Sequence, residues 1–296
     1  MVGIILHHIH NNLQLNSYVL WQVGYLATAL FFFISGYGNH ISLNRKEVGI
    51  KWIVNKIKKI YIPFLVAYIT YYFVLLLGYP NQSPSASRII FELATVSLPN
   101  QVSWFPKIIL LCFLIHWGIR MTIVDENRQS YMLSLLLLTI VIILWRMRLP
   151  SYWFNSVFCY AVGSEASVLK KKVRLESIRT INFISLLCIS LILFLASFCL
   201  TTVFWFFSII TALLFCVTCF IISCRFTIET KVISWIGKNS FEFYLFHICC
   251  LKLFYWMINY SSLCYTFSVL VGSALLVELY LKLRKIFSRP HLSMTR

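Results

Sequence analysis

Charge is what this sequence lacks. Only 12% of its 296 residues are charged, about half of the ~25% that a soluble domain carries. Carboxylates are scarcest, nine Asp and Glu against 26 Lys and Arg, and none precedes Glu47. Also missing is any polar stretch long enough for a separate soluble domain. With 60% of residues hydrophobic and 17% aromatic, this excludes an ordinary soluble enzyme and indicates a polytopic membrane protein. Runs such as Ser130 to Trp145 and Thr180 to Cys199 span, or nearly span, a bilayer core. The start lacks a basic n-region and a small-residue cleavage site, so it reads as neither a secretory signal nor a transit peptide.

The formal net charge of +17 does not point to nucleic acid. A DNA-binding footprint is a basic stripe on a soluble face. Here the basic residues gather in short connections between apolar runs, where anionic lipid is the expected contact. Ten cysteines are scattered through those runs. Cys216, Cys219 and Cys224 have a metal-like rhythm but no histidine nearby, so they read as small buried hydrophobes and no metal is expected.

Apolar runs between polar breaks predict an all-α, polytopic integral membrane protein of about ten transmembrane helices. They fall near 1–13, 21–40, 60–79, 104–120, 130–146, 153–169, 180–199, 202–223, 239–258 and 262–283, in one transmembrane domain over 1–296. With the N-terminus inside, the inner segments hold 21 of the 26 basic residues. The other face keeps Arg88, Lys107, Arg146, Arg148 and Lys252. That asymmetry predicts two cytoplasmic termini. The longest outer connection, Pro80 to Ser103, is rich in Ser, Pro, Asn and Gln.

Ionisable groups inside spans are expensive and tend to face a cavity, a partner or a pathway. His7, His8, His10, Glu165, Glu242, His247 and Glu278 meet that test. His7 and His10 lie one turn apart on one face, with His8 pointing elsewhere. No local carboxylate completes a metal site around them. Two readings remain, a general base or polar residues at a helix end. In the second helix, "FFFISGYGNH" places Ser35, Gly36 and Gly38 where a backbone or substrate can come close. The basic segment after it carries Lys56 and Lys59 on one helical face. Paired ammonium groups there suit a phosphate-bearing ligand, or serve as plain topological anchors.

The order of these parts resembles the membrane-bound acyltransferase 3 family. An apolar first helix ending in histidine is followed by "FFFISGYG", "KIKKIYIP", Trp104-Phe105 and "WIGKNSFEFYLFH" from Trp235 to His247. The resemblance covers nearly the whole chain, with about 120–230 matching in hydropathy only. It implies an inner-membrane enzyme moving an acyl group, usually acetyl, from cytoplasmic acyl-CoA to a hydroxyl of a cell-surface glycan or its lipid-linked precursor. The family's catalytic histidine falls on His7 or His8. Its basic residue upstream in that helix falls before Met1, so the first helix reads as truncated. The family's basic pair falls on Lys56 and Lys59, with Lys in place of Arg, and Arg45 joins them as a CoA-binding candidate. Ser35, Trp104 and His247 are candidates for lining the substrate. No appended esterase-like domain follows the last helix. The rival expectation is a non-enzymatic transporter or flippase of lipid-linked sugars, which commonly shows internal repeats. None is visible.

Overall fold

The computed structural model describes residues 1–44, 48–79, 81, 84–97, 103–172, 179–227 and 229–287. Among these the only regular secondary structure is helical. The α-helices are α1 (Val2–Asn12), α2 (Tyr18–Asn44), α3 (Ile50–Gly78), α4 (Ala86–Ala94), α5 (Trp104–Thr122), α6 (Glu126–Arg146), α7 (Cys159–Lys172), α8 (Thr180–Leu200), α9 (Phe207–Ser223), α10 (Lys231–Lys238), α11 (Ser240–Leu253) and α12 (Ser262–Phe287).

Six of them, α2, α3, α5, α6, α8 and α12, are long and apolar enough to cross a membrane. The other four spans expected from sequence fall on α1, α7, α9 and α11, which have 11, 14, 17 and 14 residues. At 1.5 Å per residue these reach only about 16 to 26 Å, short of a hydrocarbon core of about 30 Å. Apolar composition marked them as spans, but turns cut them short. The turn expected between the runs 180–199 and 202–223 is present, with α8 ending at Leu200, α9 starting at Phe207 and α9 packing back on α8.

Two further differences bear on function. The third helix begins at Ile50 rather than near residue 60, so the basic segment and the apolar run form one continuous helix. Pro63 lies inside that helix. It supplies no N–H to the carbonyl one turn back, a defect that membrane helices tolerate when neighbouring groups satisfy the freed carbonyl. The connection after α3 contains α4, whose Ile90 and Phe91 are exposed, as on a helix lying at an apolar interface.

The chain divides into two compact units. One comprises Met1–Trp21, Pro63–Ile89 and Glu229–Arg296, the other Gln22–Ile62 and Ile90–Ile228. In the first, α11 is the central helix, with every residue from Phe243 to Leu251 buried. A helix apolar on all sides belongs in a core rather than at a surface. α1 and α12 both pack on it. Gly272 permits the close approach of α12, since a Cβ there would sit 2.7 Å from the Phe254 ring and 3.2 Å from Cys250 Sγ.

The second unit is organised by a reciprocal glycine contact. A Cβ on Gly36 of α2 would collide with the carbonyl oxygen of Tyr160, and a Cβ on Gly163 of α7 with that of Phe33. Each glycine sits three residues after the residue whose carbonyl the other meets, so one turn of α2 lies directly against one turn of α7. The buried stripe of α2 runs Gln22, Leu26, Ala29, Phe33, Gly36, Asn39, His40 and Leu43, the spacing of one helical face. The glycine contact therefore draws the polar residues Asn39 and His40 inside with it.

Candidate active site

In the first unit, the three histidines of α1 are told apart by their partners. His10 is buried. Its Nδ1 lies 3.3 Å from Asn11 Oδ1, and its Nε2 accepts the Ser17 backbone N–H at 3.2 Å. This imidazole ties down the turn between α1 and α2. His7 Nε2 accepts from Asn11 Nδ2 at 3.1 Å. His8 packs against another imidazole, with its ring centroid 5.2 Å from that of His247. The His7 ring stands edge-on to His8 at 5.3 Å.

His247 lies on the central helix with no exposed surface. Its Nδ1 donates to the Phe243 carbonyl, 3.2 Å away, which fixes the tautomer and leaves Nε2 as an acceptor. That Nε2 is buried with no partner among the described residues. A buried polar atom left unpaired costs about 1–3 kcal/mol, and such orphans invite explanation by a ligand, a water or a catalytic role. The end of α1 is held by a tyrosine. Asn12 Nδ2 donates to Tyr265 Oη at 2.7 Å, and that hydroxyl donates to the Leu251 carbonyl at 3.4 Å. Tyr265→Phe strands the Asn12 amide and is expected to cost about 1–2 kcal/mol, read as a lower thermal unfolding midpoint in detergent.

The second unit holds a buried polar chain. Lys56 of α3 donates to Asn39 Oδ1, and Asn39 Nδ2 donates to Tyr160 Oη at 2.8 Å. Tyr160 Oη lies 3.1 Å from His116 Nδ1 of α5. Beside it, His40 bridges Ser164 Oγ at 3.2 Å and Asn44 Nδ2 at 2.9 Å. Asn39, His40, His116, Tyr160 and Ser164 are all at most 2% exposed. The Lys56 ammonium also lies over the Trp52 and Phe113 rings, 5.1 and 5.3 Å from their centroids. Cation–π contacts of this kind contribute about 0.5–2 kcal/mol.

The family model described as an acyltransferase domain matches residues 1–281. The chain belongs to the acyltransferase 3 family. No curated protein and no solved structure matches it. With six helices of membrane-crossing length, this acyltransferase 3 protein is a membrane acyltransferase.

The residues expected to form the acyltransferase site divide between the units. His7, His8 and His247 belong to the first, and Ser35, Lys56, Lys59 and Trp104 to the second. Arg45 lies outside the described residues. Lys56 and Lys59 share a helix but not an environment, since Lys56 turns inward to Asn39 and Lys59 is exposed. Ser35 is half-buried, and Gly38 faces open space, so of the three small residues in "SGYG" it is Gly36 that meets another backbone. Trp104 packs at a tilt against the rings of Phe32, Tyr152 and Trp153. Among the described residues no group of three or more His, Cys, Asp or Glu is placed to hold a metal ion, and all ten cysteines are free. Asn39, His40, His116 and Tyr160 went unnoticed in the sequence. The two histidines carry the same signal as His7 and His247, an ionisable group inside an apolar run. Tyr160 carries none, because a tyrosine in an aromatic-rich membrane chain is unremarked.

Proposed function

We propose that this acyltransferase 3 protein is an inner-membrane O-acyltransferase. It takes an acyl group, acetyl by family resemblance, from cytoplasmic acyl-CoA and places it on a hydroxyl of a cell-surface glycan or its lipid-linked precursor. The observation that carries this reading is the His8–His247 pair. The buried Nε2 of His247, left as an acceptor beside the His8 ring, suits a group that receives the N–H of His8 and so leaves the other His8 nitrogen as a base. His8 thus serves as the base and His247 as its positioning residue. His7, already engaged with Asn11, is the weaker candidate.

In the step so drawn, the acceptor hydroxyl loses its proton to His8 as its oxygen attacks the thioester carbonyl. The carbon–sulfur bond then breaks, CoA departs as the thiolate, and the new ester forms on the sugar. Lys56 and Lys59, with Arg45, take the CoA phosphates. Ser35 and Trp104 line the path of the substrates. Surrounding lipids, including anionic headgroups at the basic connections, complete the setting.

The test is mass spectrometry of cell-surface glycans from a deletion strain and from the same strain complemented with the wild-type gene. Loss of a 42 Da acetyl increment on deletion, restored on complementation, is expected. Unchanged acylation together with accumulated lipid-linked sugar overturns the reading in favour of a flippase.

A further inference from the structure

We propose that Tyr160 and His116 are positioning residues which fix the orientation of the Asn39 amide, and through it hold the Lys56 ammonium open to an anionic ligand. The inference rests on the reading of Lys56 as a cation for the phosphates of the acyl donor, and names what keeps it in place.

An ammonium group has three N–H donors and no acceptor. One donor of Lys56 is used on Asn39 Oδ1. Two aromatic rings pack beside the group, and the ion pairs between described residues do not include it. A half-buried cation with a neutral acceptor and no carboxylate keeps its charge for something else. Internal pairing with Asp or Glu would have neutralised it, and the scarcity of acidic residues in the sequence makes that arrangement possible.

The orientation of the Asn39 amide is decided at a distance. A buried asparagine can present either its oxygen or its NH2 to a neighbour, and only the oxygen attracts an ammonium. Tyr160 has one hydroxyl proton. When that proton is given to His116 Nδ1, 3.1 Å away, the hydroxyl oxygen can only accept. It then takes the Nδ2 hydrogen of Asn39 at 2.8 Å, which leaves Oδ1 facing Lys56. The chain therefore runs in one direction, Lys56 to Asn39 to Tyr160 to His116, each donor feeding the next acceptor. Chains of this sense strengthen one another in a low-dielectric interior. The Gly36–Gly163 contact sets the register, since Asn39 follows Gly36 by one turn and Tyr160 precedes Gly163 by one turn.

Tyr160→Phe removes only the hydroxyl and frees the amide to rotate. In purified, reconstituted protein it is expected to raise the KM for acetyl-CoA by about tenfold while kcat stays within about twofold, the pattern of lost ground-state binding. The same change in a Lys56→Met background is expected to add nothing, as residues acting through one another are not additive. His116→Asn keeps an acceptor near the position of Nδ1 and should restore near wild-type KM, whereas His116→Ala should match Tyr160→Phe. Independent effects of Tyr160→Phe and Lys56→Met, or a loss confined to kcat, overturn the proposal. Substrate-free labelling with an amine-reactive ester, read by peptide mass spectrometry as the Lys56 to Lys59 ratio, separates it from the donor reading. A ratio raised about threefold or more by Tyr160→Phe supports the positioning chain even where wild-type protein fails to bind acetyl-CoA. In that event the donor assignment alone falls. A ratio equal to wild type in folded variants overturns the chain.

Discussion

His8→Ala is expected to lower acyl transfer by about 10²- to 10⁴-fold, the usual range for removing a positioned acid–base group. His7→Ala should keep activity within about tenfold of wild type, on the same scale. The contrast follows from their partners. His7 Nε2 is engaged by the Asn11 amide on its own helix, while the His8 ring lies 5.2 Å from a buried imidazole whose Nε2 is otherwise unpaired. Alanine is the best helix former, so α1 itself should survive either change. His247→Ala should reduce kcat less than His8→Ala, because it removes the support and not the base. Acetyl content of surface glycans in complemented deletion strains, normalised to protein level, measures all three. Full acetylation by the His8→Ala strain would sink the assignment of the base.

The second large effect belongs to the glycine contact. Gly36→Ala or Gly163→Ala puts a methyl group into a backbone carbonyl of the facing helix, and a backbone cannot swing aside as a side chain does. Overpacking in a well-packed interior costs about 1–3 kcal/mol and occasionally more, and a collision with main chain belongs at or above the top of that range. Either change is expected to lower the unfolding midpoint sharply in detergent and to reduce the amount of folded protein in the membrane. Gly38→Ala is the internal control. A Cβ there meets nothing within 4 Å, and alanine gains up to about 1 kcal/mol over glycine in a helix, so stability should hold or rise slightly. Equal loss in the Gly38 and Gly36 variants would show that helix propensity rather than close approach governs this stretch.

Particular residues show how far the primary structure can be read. The membrane class followed from the missing charge, and the family from the order of four short motifs, since both signals are local and need no fold. Gly36 was legible as a point of close approach because small residues in a span have few other uses. Lys56 and Lys59 were legible as a pair by helical spacing, but their separation into a half-buried, inward-turned ammonium and an exposed one was not. Spacing along a helix says which residues share a face, not what the face meets. The helix lengths were misjudged in the same way. Hydropathy marks a run as apolar without saying where a turn will interrupt it, and so α7, α9 and α11 proved shorter than the spans expected.

By itself, then, the sequence determined the solvent this protein folds in, its helical class, its family and the candidacy of its first histidines, because composition and period act over neighbouring residues. Only the tertiary structure decided that His8 rather than His7 meets His247, 239 positions away, and that Tyr160 completes a chain begun at Lys56. Those pairings depend on which turn of one helix lies against which turn of another. That register is set by contacts such as Gly36 against Tyr160, between residues too distant in the chain for any local pattern to connect.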